Sequence, residues 1–411
     1  VTAILLFIAT ALFGVLVAVL WVPVLVFAAQ VFAARPMQTH WAPGGESADD
    51  HLGTSDGARA GVTVLIPAHN EAVGIAATVA NVGAQMRPGD RLLVVADNCS
   101  DKTAHIARGG GAEVIERFDA QLRGKGYALD HGVRHLAADP RPVLVIVDAD
   151  CSLAAGTLTH LVTACTASGR PVQGLYLMHA PVGASLKQRV AEFAWRVKNG
   201  VRPAGGLRLG QPCALMGTGM AFPWDLISRA SLASGHLVED MKLGVDLALA
   251  GHPPLFEPAA RINSMFPVTE ASAQSQRVRW EHGHIATLLV EGPRLIRRAL
   301  LSGDVRLAGM ALDLMVPPVT LLLGLVSVAA AIGVPVAIWA SASIGLMALG
   351  ALAVLILALI RCWWVAGRTL LTVNDLLRAP AYALWKLPVY LRFITRRQTD
   401  WVRTDRDDPR P

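Results

Sequence analysis

Val143-Leu144-Val145-Ile146-Val147-Asp148-Ala149-Asp150 is an unbroken aliphatic run that closes on two acids. So short and apolar a run, bounded in this way, reads as a strand buried in a sheet. In an extended chain, side chains two residues apart face the same way, so Asp148 and Asp150 are expected to point into one site. Two carboxylates brought together repel unless a cation or a shared proton compensates them. A hard divalent ion, Mg2+ or Mn2+, held by one or two carboxylates and completed by substrate phosphates, would supply that compensation. A strand end simply solvated by its acids is the competing reading.

Outward from this strand, short apolar runs alternate with helical periodicity from about Gly61. Candidate strands are Val62–Ile66, Leu92–Ala96, Glu113–Glu116, Val143–Val147 and Val172–Leu177, and candidate helices start near Glu71, Asp101, Lys125 and Gly156. This order implies an α/β fold with a mostly parallel sheet, whose ligands sit at the carboxyl ends of the strands. The first strand runs into Pro67-Ala68-His69-Asn70-Glu71 and the second into Asp97-Asn98-Cys99-Ser100-Asp101. Either segment alone reads equally as a helix cap; recurrence on consecutive strands favours a site. Gly124-Lys125-Gly126 sets backbone amides and an ammonium before an apolar helix, where a phosphate would bind. It lacks the spacing of a P-loop, so a glycine-rich turn with a solvated lysine stays open. Further on stand Gly217-Thr218-Gly219-Met220, Val238-Glu239-Asp240-Met241 and Gln276-Arg277-Val278-Arg279-Trp280. Gln276, Arg279 and Trp280 lie at i, i+3 and i+4 and so share one helix face, where an amide, a cation and an indole can hold a pyrophosphate and a ring. An amphipathic helix resting on a membrane is the alternative there.

PAHNE, DNCSD, GKG, DAD, GTG, ED and QRVRW stand in one order over about residues 62–283, and as a set they resemble the family 2 glycosyltransferases. The chain looks like the membrane-integrated branch, which includes cellulose, chitin and hyaluronan synthases and ceramide glucosyltransferase. The resemblance implies a Rossmann-like GT-A fold that binds a nucleotide-diphosphate sugar, with a UDP-sugar the expected donor, and inverts the anomeric centre by direct displacement. It implies donor contacts from Pro67, Ala68, Asn70, Glu71, Asp97, Lys125 and Asp148, and a DxD metal site at Asp148 and Asp150. Asp240 would be the general base, with Glu239 able to exchange roles with it. Gly217, Thr218 and Gly219, together with the QxxRW residues Gln276, Arg279 and Trp280, would bind the diphosphate and the acceptor. One departure is Asn98, where many relatives carry a second acid.

The flanking sequence is membrane-like. The 411 residues are 53% hydrophobic and 17% charged, with a mean hydropathy of +0.44, too apolar for an ordinary soluble enzyme. Residues 3–34 carry no formal charge and exceed the roughly 20 residues that cross a bilayer. An N-terminal transmembrane helix is expected over 1–34; a cleaved signal peptide is disfavoured by the length and the lack of a basic start. Leu312–Ile332 and Ile344–Ile360, separated by a stretch with Gly333, Pro335 and Ser341, read as a transmembrane hairpin within 311–366. The remaining layout is a linker at 35–60, a catalytic domain at 61–290, an interfacial segment at 291–310 and an interfacial tail at 367–411 that includes Tyr382–Ile394. Asp313, at the edge of the second span, is either interfacial or functional.

Arg35, Arg306 and Arg361 fall on one side of the spans, which the positive-inside rule assigns to the cytoplasm. A cytoplasmic catalytic domain is therefore expected, and the resemblance implies that the membrane is a bacterial inner membrane. The net charge of +6 gathers beside the apolar segments, which points to anionic membrane lipids and not to nucleic acid. Cys99, Cys151, Cys165, Cys213 and Cys362 show neither disulfide nor zinc spacing. Three spans are few for a self-contained polysaccharide channel, so a lipid or lipid-linked acceptor is favoured over a processive polysaccharide synthase, and the resemblance implies a place in glycolipid or exopolysaccharide assembly. A transport component or a non-catalytic nucleotide-sugar sensor is the alternative of another class. Spans almost without polar residues count against the first, and the presence of Asp150 and Asp240 counts against the second.

Overall fold

The computed structural model describes residues 2–35, 59–236, 238–267 and 270–376, with 378, 390 and 393. The described elements begin with α1 (Thr2–Ala33), β1 (Val62–Ala68), α2 (Ile75–Gly83), β2 (Arg91–Asp97), α3 (Thr103–Gly109), β3 (Glu113–Arg117), α4 (Lys125–Leu136) and β4 (Val143–Ile146). Then come β5 (Ser152–Leu153), α5 (Thr157–Ser168), β6 (Val172–His179), α6 (Leu186–Arg196), a π-helical turn at Val197–Val201, α7 (Arg202–Arg208), β7 (Met220–Pro223), α8 (Trp224–Ile227) and α9 (Glu239–Leu249). The series closes with β8 (Leu255–Met265), α10 (Glu270–Ser302), α11 (Val305–Leu314), α12 (Val319–Trp339), α13 (Ala342–Cys362) and a second π-helical turn at Trp363–Gly367. Described residues within 1–37, 184–211 and 284–397 form one compact unit, and those within 38–183 and 212–283 form another.

The second of these units holds one eight-stranded sheet in the order β3-β2-β1-β4-β7-β6-β8-β5. The α/β expectation is met, with strands β1, β2, β3, β4 and β6 on the anticipated runs. The sheet is more mixed than anticipated: β7 lies antiparallel to both β4 and β6, and β5 antiparallel to β8. β1 and β4 are aliphatic and buried almost throughout, because helices cover the sheet. On one face α4 contributes Ala128, Leu129, Val133 and Leu136 to a core with Leu65, Leu93 and Ile146. A Cβ on Gly132 would lie 2.7 Å from Leu65 Cδ1, so glycine lets α4 settle this close to β1.

In the other unit, the helices Thr2–Ala33, Val319–Trp339 and Ala342–Gly367 are long and apolar enough to cross a membrane. The second apolar helix starts at Val319 and not near Leu312. Pro317 and Pro318 lack N–H donors and cannot continue a helix, so 305–314 forms the separate α11, capped by Asp304 Oδ1 accepting from Arg306 N at 2.8 Å. The hairpin also turns later than expected, at Ala340–Ser341, because α12 runs through Pro335. Asp313 proves to be ion-paired: Arg202 Nη2 donates to its Oδ1 at 2.8 Å and Gln30 Nε2 at 2.7 Å, while Arg202 Nε donates to Gln30 Oε1 at 2.9 Å. The expected linker is described only at residues 35, 59 and 60, and of Tyr382–Ile394 only Tyr390 and Phe393 lie among the described residues.

Candidate active site

β4 ends at Ile146, so Asp148, Ala149 and Asp150 leave the sheet in a turn closed by Cys151 N donating to Asp148 O at 3.1 Å. Strand alternation therefore does not set the relation of Asp148 to Asp150; the turn does. Both acids reach the same neighbour, since burial and then the charges of Asp150 and Asp148 push the Cys151 thiol well up. Asp148 is anchored at its backbone, where its N donates to Thr218 Oγ1 at 3.0 Å. Lys125, at the first position of α4, forms an ion pair with Asp148 and donates to Gly217 O at 2.7 Å. Burial disfavours the Lys125 ammonium, but Asp148, Glu239 and Asp240 outweigh it and hold its pKa above the ordinary value.

The GTG segment sits against this pair. Gly217 and Gly219 have φ of 92° and 64°, which side-chain-bearing residues rarely adopt. A Cβ on Gly217 would meet Asp240 Oδ2 at 3.4 Å and Lys125 Nζ at 3.6 Å, which locates the segment, the acid and the lysine around one point. Gln173, fully buried on β6, braces the loop: its Nε2 donates to Thr218 O at 2.9 Å and its Oε1 accepts from Met216 N at 2.8 Å. Glu239 and Asp240 occupy the first turn of α9, the end of a helix that favours negative charge. Burial and then the Asp240 charge raise Glu239 to about 7, with Lys125 pulling the other way. Arg279 on α10 belongs to the same field: burial lowers its pKa, and Glu239, Asp148 and Asp240 oppose that. Its Nε has no hydrogen-bond partner. Gln276 and Trp280 are half-buried on the same helix.

Asp148 and Asp150 are hard oxygen donors, and among the described residues no cluster of three or more His, Cys, Asp or Glu forms a metal cage. Such a pair fits Mg2+ or Mn2+ completed by diphosphate oxygens and water, as hard cations are commonly held.

On the side of β1 and β2, Asp97 is buried, and its Oδ1 accepts from Arg117 Nη1 at 2.7 Å and from Asn98 Nδ2 at 3.1 Å. Asn98, at φ 51°, also accepts from Asp119 N at 2.8 Å, so its amide fixes a loop in a way that a second acid would not. Asn70, at φ 54°, accepts from Ser100 N at 2.7 Å, and Glu71 N donates to Thr103 Oγ1 at 2.7 Å. The two strand ends are thus sewn together by their own polar residues. Pro67 and Ala68 close β1, and Ala68 is buried, leaving it backbone and shape to offer. Arg117 and Gln173 escaped the sequence reading. A glutamine inside an otherwise apolar strand was the signal for the second, because a buried amide must find partners.

Residues 59–283 match the family model described as Glycosyltransferase like family 2. An uncharacterised glycosyltransferase of Mycobacterium tuberculosis is 33% identical over 192 residues, which is 43% of this chain and 82% of that protein. The 4,4'-diaponeurosporenoate glycosyltransferase of Staphylococcus aureus is 34% identical over 92 residues, 22% of this chain and 24% of that protein. Among solved structures, a mannosyltransferase from Pyrobaculum calidifontis in complex with GDP-Man and Mn2+ is similar with a TM-score of 0.46 and 20% identity, over 84% of this chain and 99% of that chain.

Proposed function

Because the chain belongs to the glycosyltransferase like family 2, we propose that it moves a sugar, with inversion, from a nucleotide-diphosphate sugar, a UDP-sugar by preference, to a lipid or lipid-linked acceptor. What supports this is the meeting of Asp148, Lys125, Gly217, Glu239, Asp240 and Arg279, drawn from separate segments, at the carboxyl end of β4. The acceptor hydroxyl attacks the anomeric carbon. The bond from that carbon to the phosphate oxygen breaks, its electron pair stays on the diphosphate, and the hydroxyl proton passes to Asp240. Glu239, raised to about 7 by burial and the Asp240 charge, is partly protonated near neutrality and suits hydrogen-bond donation, while Asp240 is assigned the base role.

Lys125 and Arg279 meet the negative charge that grows on the diphosphate, in a buried setting where fixed cations act strongly. Asp148 and Asp150 would hold a divalent cation, whose Lewis acidity neutralises the same charge. Pro67, Ala68, Asn70, Glu71 and Asp97 form the nucleoside side, and Gly217, Thr218, Gly219, Gln276 and Trp280 the diphosphate and acceptor side. The apolar helices support membrane integration, and Arg35, Arg306 and Arg361 support a catalytic unit on the cytoplasmic face of an inner membrane. A relative named for 4,4'-diaponeurosporenoate is in keeping with an acceptor drawn from the membrane.

The test is nucleotide-diphosphate release by the detergent-purified chain across a panel of nucleotide sugars, with and without Mg2+ or Mn2+, for wild type and Asp150→Ala. Metal-dependent release from one donor, lost on chelation and in the variant, is the expected result. Absence of both turnover and binding with every donor would overturn the proposal.

A further inference from the structure

Beside Asp240 lies a cavity of 270 Å3 that Lys125, Asp148 and Arg279 do not line. It sits between α4, α9 and the segment 231–236. Gly126 lets that segment lie directly on the start of α4, since a Cβ there would stand 2.5 Å from Leu232 O and 2.6 Å from Ser234 O. Leu129, Met220, Leu232 and Leu243 give the cavity an apolar side, and Ser231, Ser234, His236 and Asp240 a polar one. Among the described residues its one lysine, Lys242, is already matched by Asp246 at 2.5 Å.

This lining discriminates among acceptors. A phosphate or carboxylate would meet Glu239, Asp240 and Asp246, three carboxylates against the paired Lys242 and the single imidazole of His236, so repulsion dominates. A purely aliphatic chain would strip water from serine and carboxylate groups without replacing their hydrogen bonds. A neutral ring rich in hydroxyls satisfies both sides: its O–H groups donate to carboxylates and exchange bonds with serines, and its C–H face covers the leucines. The volume is below the roughly 300–1,000 Å3 of ordinary ligand pockets, which suits one ring and not a chain of them. We infer that this cavity, lined by none of Gly217, Thr218, Gly219, Gln276 and Trp280, is a further part of the acceptor site and takes a neutral, hydroxyl-rich ring, a sugar or cyclitol unit, with one hydroxyl presented to Asp240. The inference rests on the glycosyl-transfer reading, and it makes the polar head of the acceptor the recognised part.

Acceptor and donor binding are measured separately on the detergent-purified chain. Methyl hexopyranosides, myo-inositol, hexose 6-phosphates and an isoprenoid alcohol are tested by ligand-observed NMR without donor, and then for stimulation of nucleotide release with the active donor. The neutral rings are expected to bind and to stimulate release. Ser231→Ala combined with Ser234→Ala, and separately His236→Ala, should raise the half-saturating concentration of the neutral ring about ten-fold, as loss of a hydrogen bond or two implies, and shift the donor KM much less. Preference for the phosphorylated or the isoprenoid probe, or ring binding unchanged in both variants, overturns the subsite. Failure of every donor to bind overturns the glycosyl-transfer reading itself, and the acceptor role with it, whatever the rings do.

Discussion

Glu239 and Asp240 are neighbours in the first turn of α9, and the proposed mechanism gives them different roles. As a base, Asp240 contributes at the transition state and little to donor affinity. Asp240→Asn should therefore cut transfer by about 10²–10⁴-fold while nucleotide binding by calorimetry changes little; equal loss of both would remove the base assignment. Glu239 gives a pH prediction with a definite sign. Its folded pKa is raised to about 7 from the ordinary 4.5, so its contribution to stability is complete below the unfolded value and is lost as pH rises through the folded one. Glu239→Gln should flatten the fall in melting temperature over that window in metal-free buffer, and an unchanged slope would contradict the assigned environment. The acids, Lys125 and Arg279 were legible in the sequence by type and order. That Asn98 serves a loop, and that Gln173 braces Thr218, depends on partners far along the chain and was not.

At the scale of elements, the sequence located β1, β2, β3, β4 and β6 and missed the two-residue β5 together with β7 and β8. β7 has four residues, and β8 carries Pro258 and Arg261, so neither shows a clear hydrophobic period. The Asp148–Asp150 turn illustrates the same limit: two acids following a strand look extended in sequence, yet the Cys151-to-Asp148 hydrogen bond bends them out of the sheet. Pro317 and Pro318 could be read as a helix break, and hydropathy alone hid them inside an apolar run. The packing of α4 on β1 carries the prediction at this scale. Gly132→Val would place methyl groups where Leu65 already lies, and such overpacking typically costs about 1–3 kcal/mol. A lowered melting temperature of the purified chain is the expected readout, and Leu65→Ala in the same chain should recover part of the loss.

At the scale of the whole molecule, the polar knot of Gln30, Arg202 and Asp313 joins α1, α7 and α11 within the unit that carries the apolar helices. The Arg202 and Asp313 side chains are only 7% and 22% exposed, so solvent screens the pair poorly. Arg202→Ala would leave Asp313 and Gln30 without their guanidinium, at a cost of about 3 kcal/mol, the lower end for breaking a buried ion pair. Melting in detergent should reveal it, with Arg202→Ala more damaging than a double change that also replaces Asp313 by Asn. By itself the sequence determined the α/β class, the apolar helices and the cast of charged residues. Hydrophobic period, missing charge and motif order are each written within a few neighbouring residues. Only the tertiary structure decided the antiparallel β7, the bent acid pair, the grouping of 184–211 with the apolar helices and the partners of Gln30, which lie 172 and 283 positions away at Arg202 and Asp313. Those outcomes follow from which surfaces bury one another, a property of the packed chain that no local pattern contains.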